Sequence, residues 1–208
     1  MRLLLNRKVI KKNFLFLFFL VIFFLNNIFS SITLLSIKHL KQKKDFCGEA
    51  SVAIMLNQLG YSYSQGFVHR SIFDLKNVER GAYSLEIISK LKNKGYLIEG
   101  DYNYGFNSSR GLSHENYKII VKNIKNFIDK GYPVFFNWYI KDKAENKNKP
   151  HFSLLIGYTD KNEFLIYDPR WKDKIFKIKI QKLEKLFLIP TVDKKKWGYC
   201  YFIIKGKI

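Results

Sequence analysis

Apolar residues between positions 47 and 130 recur with the period of amphipathic helices. In three of the four candidate helices a glycine follows the last turn (Gly60, Gly95 and Gly131). Ser84 and Ser113 precede two of these segments and are predicted N-caps. The pattern therefore predicts helices at residues 47–60, 61–74, 83–94 and 115–130.

Beyond Gly131 the pattern changes to the two-residue alternation and short apolar runs that are typical of strands. Strands are predicted at residues 133–140, 151–158, 163–168, 175–180 and 199–204, with a short additional strand at 96–98. The polar segments 102–113 and 141–149 are predicted as loops that shape a cleft. Helices followed by an antiparallel sheet describe an α+β domain.

The N-terminal segment has the basic-then-apolar pattern of an export signal. Its first twelve residues carry only positive charges, on Arg2, Arg7, Lys8, Lys11 and Lys12. Residues 14–25 are all apolar, and mostly apolar sequence continues to Ile37. This stretch of about 24 residues is long enough to span a bilayer.

The sequence is compatible with two interpretations of this segment, a cleaved signal peptide and an uncleaved transmembrane helix. The positive-inside rule places the first twelve residues in the cytoplasm and the remainder of the chain outside. We expect residues 1–37 to be the signal or transmembrane segment and residues 38–208 to be one folded domain. The domain is then extracytoplasmic, in the periplasm or at the cell surface, and either membrane-anchored or secreted.

Composition excludes several classes of protein. The chain has 208 residues, 47% of them apolar, with 19 Phe and 13 Tyr, which argues against disorder. The net charge is +20, but the basic residues are spread along the whole chain, so we predict no nucleic-acid partner. Only two cysteines occur, Cys47 and Cys200, and no paired Cys/His spacing is present. The sequence therefore predicts no disulfide scaffold, no metal site and no cofactor.

Cys47 lies where an extended segment becomes the first predicted helix of the domain. A thiol at a helix N-terminus is close to the positive end of the helix dipole, which favours the reactive thiolate. The alternative for an isolated cysteine is a small buried residue at a helix start. A catalytic cysteine also needs a base and a group that orients the base.

His151 is the candidate base because it opens a strand that is otherwise apolar. His39, His69 and His114 are most simply surface or capping residues. If residues 159–162 form the turn of a hairpin with Tyr158 opposite Glu163, then Ser153 lies opposite Asp168, with His151 one step away on the same face.

Two further residues, Gly157 and Gln42, have predicted roles near the candidate site. Gly157 is expected to allow close approach of another backbone or to mark a bulge. Gln42, five residues before Cys47, could donate its amide to a developing oxyanion beside the Cys47 N–H. The order Cys, then His, then Asp is that of papain-type cysteine hydrolases.

Four separated blocks together resemble the C39 and C39-like cysteine peptidases. They are Q-x4-C-G-x-A at Gln42–Ala50, G-Y-P-V at Gly131–Val134, the segment His151–Gly157, and Asp168–Pro169. The resemblance implies a papain-like fold and a peptide or peptide-like substrate. It also implies Cys47 as nucleophile, His151 as base, Asp168 as orienting residue and Gln42 as oxyanion donor.

The same residues are compatible with two other interpretations. F-C-G-x-A-S with L-N-x-L (Phe46–Leu59) and H-F-S-x3-G-Y (His151–Tyr158) also resemble phytochelatin synthases and their short bacterial relatives, which act on glutathione. In both families a thiolate attacks an amide, and a thioester acyl-enzyme then passes its acyl group to water or another acceptor. A catalytically inactive papain-like binding module is the alternative outside enzymes.

Overall fold

The structure is a computed structural model that describes residues 31–101, 114–142, 147–171, 173–187 and 200–208. The helices of this part of the chain are α1 (Cys47–Gln58), α2 (Gln65–Phe67), α3 (Ser84–Asn93), α4 (His114–Asp129) and α5 (Ile180–Phe187). A π-helical turn, Val68–Ile72, continues α2. The four predicted helices are confirmed. The sequence pattern missed α5, because residues 175–180 were predicted as a strand and no break precedes the helix.

A seven-stranded sheet carries the second half of the domain. Its strands are β1 (Ile32–Leu34), β2 (Tyr96–Asp101), β3 (Val134–Asp142), β4 (Lys147–Thr159), β5 (Glu163–Tyr167), β6 (Ile175–Lys179) and β7 (Tyr201–Lys207). Six strands follow the order β2-β7-β3-β4-β5-β6 with antiparallel pairing throughout, and β1 pairs with β4. The predicted α+β fold, with N-terminal helices packed on an antiparallel sheet, is confirmed.

Helices cover both faces of the sheet. On one face Leu56 of α1 and Ile87 of α3 pack with Phe152 of β4 in one apolar cluster. On the other face Ile124 of α4 and Phe164 of β5 belong to a second cluster, to which α5 also contributes. Strands buried on both faces appear in the sequence as nearly continuous apolar runs, which explains the pattern after Gly131.

The predicted loop at residues 141–149 is wrong for most of its length. Lys141 pairs with Asn148 and Asp142 with Lys147, so the β3–β4 hairpin extends through this charged segment. Main-chain ladder bonds do not require apolar side chains, and hydropathy therefore underestimates the strands. Only residues 143–146, and the whole of the predicted loop 102–113, lie outside the described residues.

The sheet begins before the predicted domain boundary at residues 37 and 38. Residues from Thr33 onward form one compact unit, Leu35 N donates to Ile156 O at 2.8 Å, and Ile37 is buried in the first cluster. Gly157 permits this approach, since a Cβ there would lie 2.2 Å from Thr33 O. The expected close approach at Gly157 is confirmed.

This boundary shortens the apolar stretch available for a membrane span. Residues 32–37 contribute to the sheet and core, which leaves residues 14–31, eighteen positions, as the candidate span. In the described ranges no helix is long and apolar enough to cross a bilayer. The predicted signal or transmembrane segment itself falls almost wholly on residues outside those ranges.

Candidate active site

Cys47 is the first residue of α1, and close packing sets the position of this helix start. Phe46 is the N-cap, and its carbonyl accepts from Ala50 N at 2.9 Å. Gly48 lies against α3 and β4, because a Cβ there would be 2.7 Å from Ile87 Cδ1 and 3.2 Å from Phe152 Cδ2. The backbone of Phe152, the neighbour of His151, is hydrogen-bonded to the Cys47 thiol.

Cys47 is half-buried, and desolvation of its sulfur dominates the electrostatics of the thiol. This desolvation raises the pKa of Cys47 to about 12, and the negative charges of Glu49 and Asp168 add to the rise. Hydrogen bonds to the Phe152 and Gly48 backbone act in the opposite direction but are smaller. In the resting site desolvation therefore outweighs the effect expected from the helix dipole. Cys47 is a thiol at neutral pH and needs a base.

His151 and Asp168 are joined by a short hydrogen bond in the interior. His151 Nε2 lies 2.7 Å from Asp168 Oδ1, and both side chains are buried. Burial lowers the pKa of His151 despite the nearby carboxylate, so the imidazole is neutral in the resting site. A carboxylate can only accept, and Nε2 therefore carries the proton. Nδ1 is then the nitrogen with the basic lone pair.

The register of the β4–β5 hairpin differs from the prediction at the turn but agrees at the site. Thr159, rather than Tyr158, lies opposite Glu163, a shift of one residue. A bulge between Leu155 and Gly157 then inserts one extra residue into β4 and reverses the shift. Leu154 pairs with Tyr167, so extending the ladder places Ser153 opposite Asp168, as predicted.

Arg170 is a site residue that the sequence pattern did not reveal. Its guanidinium binds both oxygens of Asp168, with Nε–Oδ1 at 3.1 Å and Nη2–Oδ2 at 2.5 Å. Burial acts to raise the pKa of Asp168, but the hydrogen bonds from His151 and Arg170 outweigh it and hold the pKa at about 2. Asp168 is thus a permanent carboxylate. The only sign of the role of Arg170 in the sequence was its position two residues after Asp168.

Gln42 is tied to the end of the strand that carries Asp168. Its backbone N donates to Pro169 O at 2.8 Å. Its side-chain Oε1 is buried and has no hydrogen-bond partner among the described residues. The structure thus brings together the segments that carry all four predicted site residues, Gln42, Cys47, His151 and Asp168.

A second buried polar pair, Glu49 and His69, lies near Cys47. Glu49 Oε1 is 2.9 Å from His69 Nδ1 and also accepts from Ala82 N. His69 Nε2 is 3.0 Å from Val78 O, and a carbonyl can only accept, so Nε2 carries a proton. The prediction of His69 as a surface or capping residue is wrong. Its ring also stacks on Phe46 at 4.5 Å, which braces the turn that leads into Cys47.

The remaining candidates lie away from this arrangement. His39 packs edge-on against Tyr167, and the side chain of His114 lies outside the described residues. Cys200 is a free, buried core thiol, and Cys47 is also free, so no disulfide joins them. Within the described ranges no group of three or more His, Cys, Asp or Glu could hold a metal ion.

Comparisons with known proteins identify a similar solved structure and a matching family. The peptidase domain of Streptococcus ComA, a bi-functional ABC transporter involved in a quorum-sensing pathway, is a similar crystal structure with 17% identity and a TM-score of 0.49. The similarity covers 83% of this chain and 98% of that domain. No curated protein matches the sequence. Residues 34–189 match the Peptidase_C39 like family, and the chain therefore belongs to this family of cysteine peptidases.

Proposed function

We propose that this peptidase cleaves an amide bond with a triad of Cys47, His151 and Asp168. The observation that carries the proposal is the buried 2.7 Å hydrogen bond between His151 Nε2 and Asp168 Oδ1, beside the start of α1. It supplies a neutral base in a fixed tautomer on the residue before Phe152, whose backbone interacts with the Cys47 thiol. Gln42 Nε2 and the Cys47 backbone N–H are the proposed donors of the oxyanion hole.

Acylation of the enzyme proceeds in two steps. His151 Nδ1 takes the thiol proton as the sulfur of Cys47 bonds to the substrate carbonyl carbon, and the carbonyl oxygen becomes an oxyanion. The C–N bond then breaks, the oxyanion returns to a carbonyl, and the imidazolium gives its proton to the leaving amine. Asp168 keeps its negative charge throughout and stabilises the imidazolium.

Deacylation repeats these steps with water. His151 removes a proton from water while the oxygen bonds to the thioester carbon. The C–S bond then breaks, Cys47 regains its proton from the imidazolium, and the acid product leaves. An acceptor other than water would convert hydrolysis into acyl transfer.

Alkylation of Cys47 by iodoacetamide tests the triad. A thiol with a pKa of about 12 reacts slowly at pH 7 unless a base assists it. His151→Ala should therefore slow alkylation by about 100-fold or more. His39→Ala is the matched control and should leave the rate unchanged. Equal alkylation rates in wild type and His151→Ala would favour the inactive binding module.

The substrate class needs a separate experiment. The family implies a peptide, and the residues shared with phytochelatin synthases raise glutathione as the alternative substrate. The protein is incubated with a peptide library and, separately, with glutathione, and the products are identified by mass spectrometry. Cleavage within library peptides supports the peptidase proposal, whereas release of glycine from glutathione supports the alternative. Cys47→Ala gives the background in both arms.

We also propose that the domain is exported and either anchored in a membrane or secreted. The support is the basic N-terminus followed by the mostly apolar residues 14–31, which are enough for one span of about 27 Å as a helix. Alkaline phosphatase, which is active only outside the cytoplasm, is fused to the C-terminus in a bacterial host. Phosphatase activity that disappears on deletion of residues 14–25 supports export. An inactive full-length fusion contradicts it.

A further inference from the structure

A single buried amide holds the two peptide groups on either side of Gln42. Gln65 begins α2 and is only 6% exposed. Its Oε1 accepts from Lys43 N at 2.7 Å, and its Nε2 donates to Lys41 O at 2.9 Å. Gln65 therefore fixes the backbone immediately before and immediately after Gln42.

Two further bonds extend this constraint to the remainder of the site. Gln42 N donates to Pro169 O at 2.8 Å, directly after the carboxylate that binds His151. Phe46 N donates to Lys43 O at 3.1 Å, in the turn that leads into Cys47. The segment of Gln42 is thus joined to the strand of the base and to the helix of the nucleophile.

We propose that Gln65 is a positioning residue for the oxyanion hole, an inference that rests on the proposed function. A donor to an oxyanion must be held within a fraction of an ångström, because the interaction counts only where charge develops in the transition state. Residues 41–43 belong to no helix or strand that could provide this rigidity. The Gln65 amide provides it, since one side chain acts as donor and acceptor at once.

The chain offers a matched control at the far end of α1. Asn57 makes the same kind of two-sided amide contact, with Tyr63 N to Oδ1 at 2.7 Å and Nδ2 to Tyr63 O at 3.2 Å. It lies ten residues beyond Cys47 on the helix and touches no residue of the triad. Asn57→Leu therefore reports what the loss of such a contact costs the fold while the two bonds of Gln65 to residues 41 and 43 are kept.

The experiment compares two reactions of Cys47 in the full chain. Iodoacetamide alkylates the sulfur by displacing iodide from carbon and forms no oxyanion. p-Nitrophenyl acetate acylates it through a tetrahedral oxyanion and releases p-nitrophenolate, which is followed by absorbance. Cys47→Ala gives the background from lysine amines. Both rate constants are measured at pH 7 for wild type, Gln65→Leu, Gln65→Glu, Gln42→Ala, the double variant Gln65→Leu/Gln42→Ala, and Asn57→Leu.

Gln65→Leu should slow acylation by about 10- to 100-fold through the rate constant rather than through the KM, because the donor is displaced. Its alkylation rate should stay within about twofold of wild type, as no oxyanion forms there. Gln65→Glu keeps the acceptor for Lys43 N but loses the donor to Lys41 O, so it should also slow acylation more than alkylation, which covers the case in which Gln65→Leu does not fold. In the Gln42→Ala background, Gln65→Leu should have no further effect.

Three results would overturn the positioning role. They are equal losses in alkylation and acylation, an undiminished effect of Gln65→Leu when Gln42 is already alanine, and an acylation defect of the same size in Asn57→Leu. Failure of the proposed function has a different signature, namely a wild-type Cys47 whose two reactions do not depend on His151. That outcome removes the oxyanion hole and the role of Gln65 together.

Discussion

Arg170 binds both oxygens of the Asp168 carboxylate, the same group that accepts from His151 Nε2. One carboxylate is therefore shared between a permanent cation and the imidazole of His151, the proposed base. The cation keeps Asp168 ionised, while its positive charge opposes protonation of the imidazole. His151 is thus oriented by a carboxylate whose attraction for an imidazolium is partly cancelled.

Replacing Arg170 should move the acid limit of activity to higher pH. Burial lowers the pKa of His151 below its ordinary value of 6.5, and the charge of Arg170 lowers it further. Activity needs the neutral imidazole, so wild type should stay active below pH 6.5 and lose activity only at lower pH. In Arg170→Met the midpoint should rise by roughly 0.5 to 1, less than for a charge in direct contact. The measurement is the pH dependence of Cys47 alkylation.

Lys179→Met is the control for this shift. Lys179 lies on β6, 3.2 Å from Glu163, and its removal changes the net charge of the chain by the same amount. Its pH profile should match that of wild type. If both variants shift equally, the effect belongs to the overall charge, and the local role of Arg170 is refuted.

Asp168→Asn should reduce stability in a pH-dependent way. The folded pKa of about 2 lies below the ordinary 3.8, so the carboxylate stabilises the fold above pH 3.8 and loses this contribution as pH falls through 2. The difference between these two pKa values corresponds to about 2.5 kcal/mol of unfolding free energy at pH 7. Urea unfolding at pH 7 and near pH 2 measures it, with an unchanged m-value. Asp129→Asn is the control, because the exposed Asp129 carboxylate accepts a hydrogen bond from the Tyr158 hydroxyl. It should cost under about 1 kcal/mol at both pH values.

Removing the charge of Glu49 should make Cys47 more reactive. After burial, the charge of Glu49 is the next cause that raises the pKa of the thiol. Glu49→Gln keeps the size and an acceptor for Ala82 N, and we expect alkylation at pH 7 to be about 3- to 10-fold faster, as for a pKa lower by 0.5 to 1. Glu86→Gln removes a charge from α3 beside Arg80 and should have no effect. An unchanged or slower rate in Glu49→Gln would contradict this electrostatic role.

The pairing of His151 with Asp168 could be predicted from the sequence because it depends on the two-residue period of strands. The turn could not be placed to within one residue, and the predicted register survived only because the bulge before Gly157 reversed the error. A glycine within an apolar strand was the visible sign of that bulge. The position of Cys47 at a helix start could be predicted equally well, since helix periodicity and a following glycine delimit α1.

The polar contacts that support the site could not be predicted from such patterns. Glu49–His69 and Gln65 depend on the path of irregular backbone, including Asp45 with a positive φ of 61° just before Cys47. No periodicity encodes that path. The strand β1 was hidden for another reason, since its apolar residues directly follow a longer apolar run and hydropathy does not separate the two.

The start of α1 should tolerate no side chain at position 48 unless α3 gives way. A Cβ on Gly48 would lie 2.7 Å from Ile87 Cδ1, well inside van der Waals contact, and 3.2 Å from Phe152 Cδ2. Gly48→Ala should push the helix away from β4, cost about 1–3 kcal/mol of stability, and separate Cys47 from its base. Urea unfolding and the alkylation rate of Cys47 measure the two effects.

The Cδ1 methyl of Ile87 provides a direct test, because Ile87→Val removes that one group. The single variant Ile87→Val should cost about 0.5–1.5 kcal/mol and leave alkylation close to wild type. In the double variant Gly48→Ala/Ile87→Val the new methyl occupies the vacated volume, so alkylation should recover and the two stability losses should be less than additive. Ile88→Val, on the same helix but without contact to Gly48, should give no rescue. Rescue by both valines, or by neither, would mean that the approach of α1 to α3 does not position the nucleophile.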